Sequence, residues 1–146
     1  KIAIIVLNDS DIKSIDDMAG KSVAVQGSSS AEEALYSDKN KDFRESLGNI
    51  NSSFQDYITA LMDLETGNSD AVLMDSVVAQ YMIHVAGKDY RMLDDTLNAE
   101  DYAIGFRKGE EVLAEAINKA LRELKKEGTV EQIATKWFGS DITIIE

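Results

Sequence analysis

Gly67-Asn68-Ser69-Asp70-Ala71-Val72-Leu73-Met74-Asp75 decides how this chain folds. Ala71 to Met74 is wholly apolar and bounded by aspartates, the pattern of a short strand buried on both faces. Gly67 stands where a left-handed helix C-cap belongs, so a helix should come before the strand. Ile58, Leu61, Met62 and Leu64 supply its apolar face after a start at Gln55 or Asp56. Ser76 is placed to cap a second helix through Val77, Val78, Tyr81, Met82 and Val85, ended by Gly87.

The same alternation continues outward. Ile2 to Leu7 reads as a buried strand, and Asn8-Asp9-Ser10-Asp11 as the turn after it. Ser14 to Met18 is a one-turn helix closed by Gly20, and Ser22 to Gln26 is a second strand. Gly27-Ser28-Ser29-Ser30 leads into a helix running to about Leu47, with Asp38-Lys39-Asn40-Lys41 polar enough to break it midway. Ser30 with Glu33 fits a capping box, and Ser29 with Glu32 fits almost as well. Ile50 to Phe54, Arg91 to Leu93 and Tyr102 to Phe106 are further strands. Glu110 to Lys126 is the clearest helix, with an apolar stripe of Val112, Ala116, Ile117, Ala120, Leu121 and Leu124, acids early and Lys125-Lys126 late. Gly128 stops it. Thr129 with Gln132 would cap a last helix carrying Val130, Ile133, Ala134, Trp137 and Phe138. Strands separated by helices imply an α/β fold: a mostly parallel sheet with helices on both faces.

Composition removes whole classes of function. Twenty-seven acids against 15 Lys plus Arg leave a formal charge of −12, which repels nucleic acid and anionic membranes alike. There is no Cys, so disulfides and thiolate chemistry are out. The one histidine, His84, sits inside a predicted helix and reads as structural, so no metal site is expected. Nothing points to a cofactor. No apolar run approaches the ~18 residues of a spanning helix.

Ligands of parallel α/β sheets bind beyond the carboxyl ends of the strands. Two such ends here carry polar residues. Gln26-Gly27-Ser28-Ser29-Ser30 offers backbone N–H groups and hydroxyls at a helix start, suited to a carboxylate or phosphate, although the serines could merely cap the helix. Met74-Asp75 offers a partly desolvated carboxylate that seeks a cation or several donors, although Asp75 could also be an N-cap. An anion holder beside a cation holder is what a zwitterion requires.

The order of these pieces resembles the type II periplasmic (extracellular) solute-binding proteins of amino-acid ABC transporters. Asp11 to Gln26 looks like that family's entrance into its second lobe, and Ser28-Ser29-Ser30-Ala31-Glu32-Glu33 falls where the family has Gly-Ser-Thr or Gly-Thr-Thr. Gly67 to Asp75, Glu100 to Gly109, and Gly128-Thr129 through Gly139 match its later landmarks. The resemblance implies a periplasmic-binding-protein-like type II fold. Residues 1–7 would be the first hinge strand, 8–99 lobe two, 100–108 the returning hinge strand, and 109–146 the C-terminal helices of lobe one. It also implies that the first part of lobe one lies before Lys1, making this chain a fragment. Ser29 and Ser30 would then hold a ligand α-carboxylate and Asp75 its α-ammonium. Gln26 and Met74 would lie near the ligand side chain, and Tyr102 would border the hinge. Ser28 replaces the usual glycine, so the loop would approach the ligand less closely.

The implied function is non-catalytic capture of a free amino acid outside the cytoplasm for a membrane permease, from a lipid- or membrane-anchored parent. The helices of 109–146 would need to pack on the lobe-two piece, on a second copy in a homo-oligomer or domain swap, or on another part of the parent. Amino-acid-sensing receptors and sensor-kinase ectodomains share these lobes. A dehydratase would need a cleft acid or base, and only Asp75 and Asp101 offer one. A phosphoacceptor receiver domain would use Asp75 after its strand, with Asn8 to Asp11 as the acidic pocket. The long spacing from Asp9 to Asp75 and the absence of Pro oppose it.

Overall fold

The computed structural model describes residues 1–99 and 101–145 and divides into two compact units, residues 1–100 and 101–146. Unit one holds five strands: β1 (Ile2–Leu7), β2 (Ser22–Gln26), β3 (Asn49–Phe54), β4 (Ala71–Asp75) and β5 (Tyr90–Asn98). They form one sheet in the order β3-β2-β4-β1-β5. β2 runs parallel to both β3 and β4, whereas β1 runs antiparallel to β4 and β5. The sheet is therefore mostly parallel, with β1 as its one reversed strand. The four helices of this unit are α1 (Ser30–Tyr36), α2 (Lys41–Ser46), α3 (Tyr57–Glu65) and α4 (Ser76–His84).

The period of two along the central strands feeds two cores. Ile2, Ile4 and Val6 of β1 join Val23, Val25, Ala71 and Leu73 under Ala31, Ala34 and Leu35 of α1. Ala3 and Ile5 join Ala24, Val72 and Met74 under Ala60, Leu61 and Leu64 of α3 and Ala79 of α4. Both faces are covered, as continuous apolar strands require.

Several local expectations are corrected. The stretch after Ser30 breaks as expected at residues 38–40, a short 3₁₀ turn between α1 and α2. On α3 the inward face is Ala60, Leu61 and Leu64, while Ile58 and Met62 are more than half exposed. One helix face can bury only part of so wide an apolar arc. β5 is far longer than Arg91 to Leu93, because pairing with β1 carries it through Asp94-Asp95-Thr96. Asp95 there accepts from the Ile15 N–H at 2.8 Å. α4 is capped by Asp75 rather than Ser76.

Two glycines permit close backbone approach. A Cβ on Gly48 would lie 2.2 Å from the Gly20 carbonyl oxygen, and one on Gly27 would lie 2.7 Å from that of Ser52. These contacts seat the loop before β3 and the end of β2.

Unit two contains α5 (Glu111–Lys126) and α6 (Thr129–Phe138), packed on each other. Gly128, at φ +79°, ends α5 and directly precedes α6. Thr129 is already helical, so it cannot be the cap expected with Gln132. The strand expected over Tyr102 to Phe106 is absent, since no strand among the described residues of this unit could pair with it. Glu100, part of the expected returning strand, and Glu146 lie outside the described residues. The apolar stripes of α5 and α6 are open: Val112, Leu113, Leu124, Ile133 and Trp137 are exposed, and Ala134 alone among the described residues of this unit is a buried apolar residue. The Lys136 ammonium lies 5.4 Å from the Trp137 ring centre.

Candidate functional site

Sheet order brings the two polar strand ends together. β2 and β4 are hydrogen-bonded parallel neighbours in the register Val23↔Ala71, Ala24↔Val72 and Val25↔Leu73. Gln26-Gly27 and Met74-Asp75 therefore leave the same edge of the sheet side by side, about one strand spacing (~4.8 Å) apart.

Asp75 is only 4% exposed. Its Oδ1 accepts from the N–H groups of Val77 at 2.9 Å and Val78 at 3.2 Å, so it caps α4. Its Oδ2 is buried and has no hydrogen-bond partner among the described residues. A carboxylate oxygen in that position is costly unless a donor or cation reaches it. Capping thus uses one oxygen and leaves the other for something else.

The facing loop is also used twice over. Ser29 is the N-cap of α1: its Oγ accepts from the Glu32 N–H at 3.2 Å and donates to the Gln26 carbonyl at 2.7 Å. The cap is thus Ser29 with Glu32, and the pair Ser30 with Glu33 does not form it. Glu32 closes the motif by accepting the Ser28 N–H on its Oε2 at 2.6 Å. Ser28 holds φ +58°, the one left-handed non-glycine among the described residues. The N–H groups of Ser30 and Ala31 have no acceptor among the described residues. Beside the loop is an open hollow of about 440 Å³ lined by Ser28, Ser29, Ser30, Glu32, Glu33 and Tyr36. Asp75 does not line it.

Gln26, Met74 and Tyr102 were the other residues expected at the site. Gln26 is half-buried, and its Nε2 donates to the Gln55 carbonyl at 2.7 Å, tying the end of β2 to the start of α3. Met74 is fully buried in the core under α3 and α4. Tyr102 belongs to unit two and is 68% exposed. Glu32, at the loop, was visible in the sequence only as a capping partner. Gln80 of α4 buries an Oε1 that has no hydrogen-bond partner among the described residues, and no sequence signal marks it. No group of His, Asp or Glu among the described residues could hold a metal ion.

Residues 1–140 match the family described as bacterial extracellular solute-binding proteins, family 3. The chain belongs to this family. Solute-binding proteins similar to it include L-cystine-binding protein TcyJ of Escherichia coli K12, 30% identical over 137 residues that cover 93% of this chain and 48% of TcyJ. A polar amino acid ABC uptake transporter substrate-binding protein from Streptococcus thermophilus superposes with TM-score 0.78 at 28% identity, covering 99% of this chain and 55% of that one. A Streptococcus pneumoniae substrate-binding protein with bound histidine gives TM-score 0.75 at 30% identity, covering 98% and 59%. The chain spans about half the length of the solute-binding relatives it matches.

Proposed function

We propose that this chain is the ligand-gripping part of an extracytoplasmic protein that captures a free amino acid without catalysis and hands it to an ABC-type permease. The observation that carries this reading is the buried Oδ2 of Asp75, without a hydrogen-bond partner among the described residues, at the end of the strand that neighbours the one leading into Ser28 to Ser30. An α-ammonium supplies the cation that this oxygen lacks. The N–H groups of Ser29 and Ser30, with the Ser30 hydroxyl, take the α-carboxylate at the neighbouring strand end. Gln26 and Ser28 border the ligand side chain, and Met74, fully buried, packs the core beneath the strand end. Relatives whose descriptions name cystine, glutamine and histidine favour an amino acid over other zwitterions.

In the whole protein, residues 8–99 act as lobe two and 109–146 as the C-terminal helices of lobe one. Residues 1–7 and 100–108 are the hinge segments, with Tyr102 at the hinge, and closure of the two lobes completes the pocket. Calorimetric titration of the full-length parent with a panel of free L-amino acids tests this. Asp75→Asn should abolish or weaken binding by at least a hundredfold, since unpairing a buried charge costs roughly 3–5 kcal/mol. An unchanged Kd for every amino acid that binds the parent overturns the assignment of Asp75.

A further inference from the structure

Asp75 has a buried apolar neighbour on the reversed strand. Ile2 stands directly opposite it in the antiparallel pairing of β1 with β4. The Ser76 N–H donates to the Lys1 carbonyl at 2.8 Å and closes the ladder just beyond the pair. Ile2 and Asp75 are thus a pair without mutual main-chain bonds, the kind whose side chains come closest, with Cα atoms about 4.5 Å apart. Residues directly opposite share a face of the sheet. Ile2 also packs in one core with Ala71 and Leu73, which alternate along β4 onto the face of Asp75.

Ile2 is fully buried, and Asp75 is 4% exposed. β1 is apolar throughout, so it offers Asp75 no side-chain donor. A buried carboxylate oxygen without a partner is expensive. The same dry surroundings strengthen its attraction to any cation that reaches it. We infer that Ile2 is the residue that keeps the free oxygen of Asp75 dry and thereby sets how tightly the site grips an ammonium, the grip itself resting on the function proposed above. Ile2 is a positioning residue: it acts through Asp75 and touches no part of the ligand. A donor in its place would partner the oxygen beforehand, and an incoming ammonium would gain less.

Val and Thr share size and branching and differ by one hydroxyl, so Ile2→Val and Ile2→Thr isolate the effect of a donor opposite Asp75. Urea unfolding of the chain compares the two variants with Asp75 intact and with Asp75→Ala. Burying a hydroxyl without a partner is costly, so with Asp75→Ala the Ile2→Thr chain should be the less stable by roughly tenfold in its unfolding constant. With Asp75 intact the hydroxyl donates to the free oxygen, and that deficit should shrink by roughly tenfold, the worth of a hydrogen bond to a charged group. A merely structural Ile2 gives the same deficit in both backgrounds, which overturns the inference. Should Ile2→Thr unfold outright where Ile2→Val folds, the backgrounds still decide: loss confined to Asp75→Ala supports the inference, and loss with Asp75 intact overturns it. Calorimetry of the full-length parent with a panel of free L-amino acids adds the second readout. Each amino acid that binds should bind Ile2→Thr roughly tenfold more weakly than Ile2→Val. Equal affinities overturn the role of Ile2 in the grip. If unfolding couples residues 2 and 75 while no free amino acid binds the parent, the amino-acid reading falls and the hold of Ile2 on Asp75 stands.

Discussion

Asp75 holds two assignments at once, and a pair of substitutions separates them. As a cap, its Oδ1 serves the Val77 and Val78 N–H groups. Losing an N-cap to Ala costs about 1 kcal/mol, within a range of roughly 0.5–2. Asn caps as well as Asp, so Asp75→Asn keeps that contribution. It also replaces the unpartnered Oδ2 by an amide nitrogen that is equally unpartnered but uncharged. The two changes offset, and Asp75→Asn should leave unfolding free energy within about 1 kcal/mol of the parent chain. Urea unfolding followed by circular dichroism measures both variants. The expected order is the parent chain and Asp75→Asn together, with Asp75→Ala below them. If Asp75→Asn is the less stable of the two variants, its charge is already paired within the fold. The oxygen is then not waiting for a ligand, and the site loses its cationic pole.

Other expectations concern the fold around the site. Gly48→Ala should destabilise unit one by roughly 1–3 kcal/mol, since its Cβ would stand 2.2 Å from the backbone oxygen of Gly20 and the loop must shift; an unchanged urea midpoint refutes that contact. Ser28→Gly should stabilise by about 0.5–1 kcal/mol by relieving its left-handed backbone, read as a raised midpoint. Alkaline stability should depend on Tyr90. Burial and then its hydrogen bond to Glu65 push the phenol well above its ordinary value, so folding favours its protonated form. That contribution is full below the unfolded tyrosine value of about 10 and is lost as pH rises through the folded value. Tyr90→Phe should therefore flatten the fall in stability above pH ~10 in a pH series of thermal melts. On the acid side, the Tyr90 and Lys88 bonds hold the Glu65 carboxyl below its usual range. Its contribution is present above the unfolded glutamate value and fades as pH falls through the folded one.

Much of this was legible because strong local patterns and the final packing agree. Ala71 to Met74 must be a strand buried on both faces, and it is. Gly67, Gly128 and Gly139 take the left-handed caps that their positions imply. What the pattern could not tell was geometry in the third dimension. Ile2 to Leu7 reads as a strand, but nothing in it says that it runs against its neighbours. That direction is fixed by pairing with both β4 and β5. Asp94-Asp95-Thr96 has poor strand propensity, yet long-range pairing with β1 overrides it. On α3 the apolar positions outnumber the face that the sheet can cover, so Ile58 and Met62 could not be ranked against Leu61 and Leu64 from spacing. Spacing offered Ser30 before Ser29 and Ser76 before Asp75 as caps, because neighbouring polar residues fit a cap equally well until the helix start is fixed; an orphaned oxygen exists only in three dimensions.

The separation of the two poles follows from sheet order more than from the residues themselves. An α-amino acid carries its ammonium and carboxylate on one carbon, so a site for both must be narrow. With β2 and β4 adjacent, Asp75 and the loop after Gln26 stand about one strand spacing (~4.8 Å) apart. Were the reversed β1 between them, the gap would double to nearly 10 Å and no single α-carbon could bridge it. Instead β1 lies on the far side of β4, where its carbonyl at Lys1 accepts the Ser76 N–H at 2.8 Å and steadies the start of α4. The reversed strand thus supports the Asp75 end of the site from behind while leaving its front edge to two parallel strand ends. Both of those ends feed helices, and both helices begin with a side-chain cap. Among the described residues the two caps leave an oxygen on Asp75 and the amides of Ser30 and Ala31 without partners.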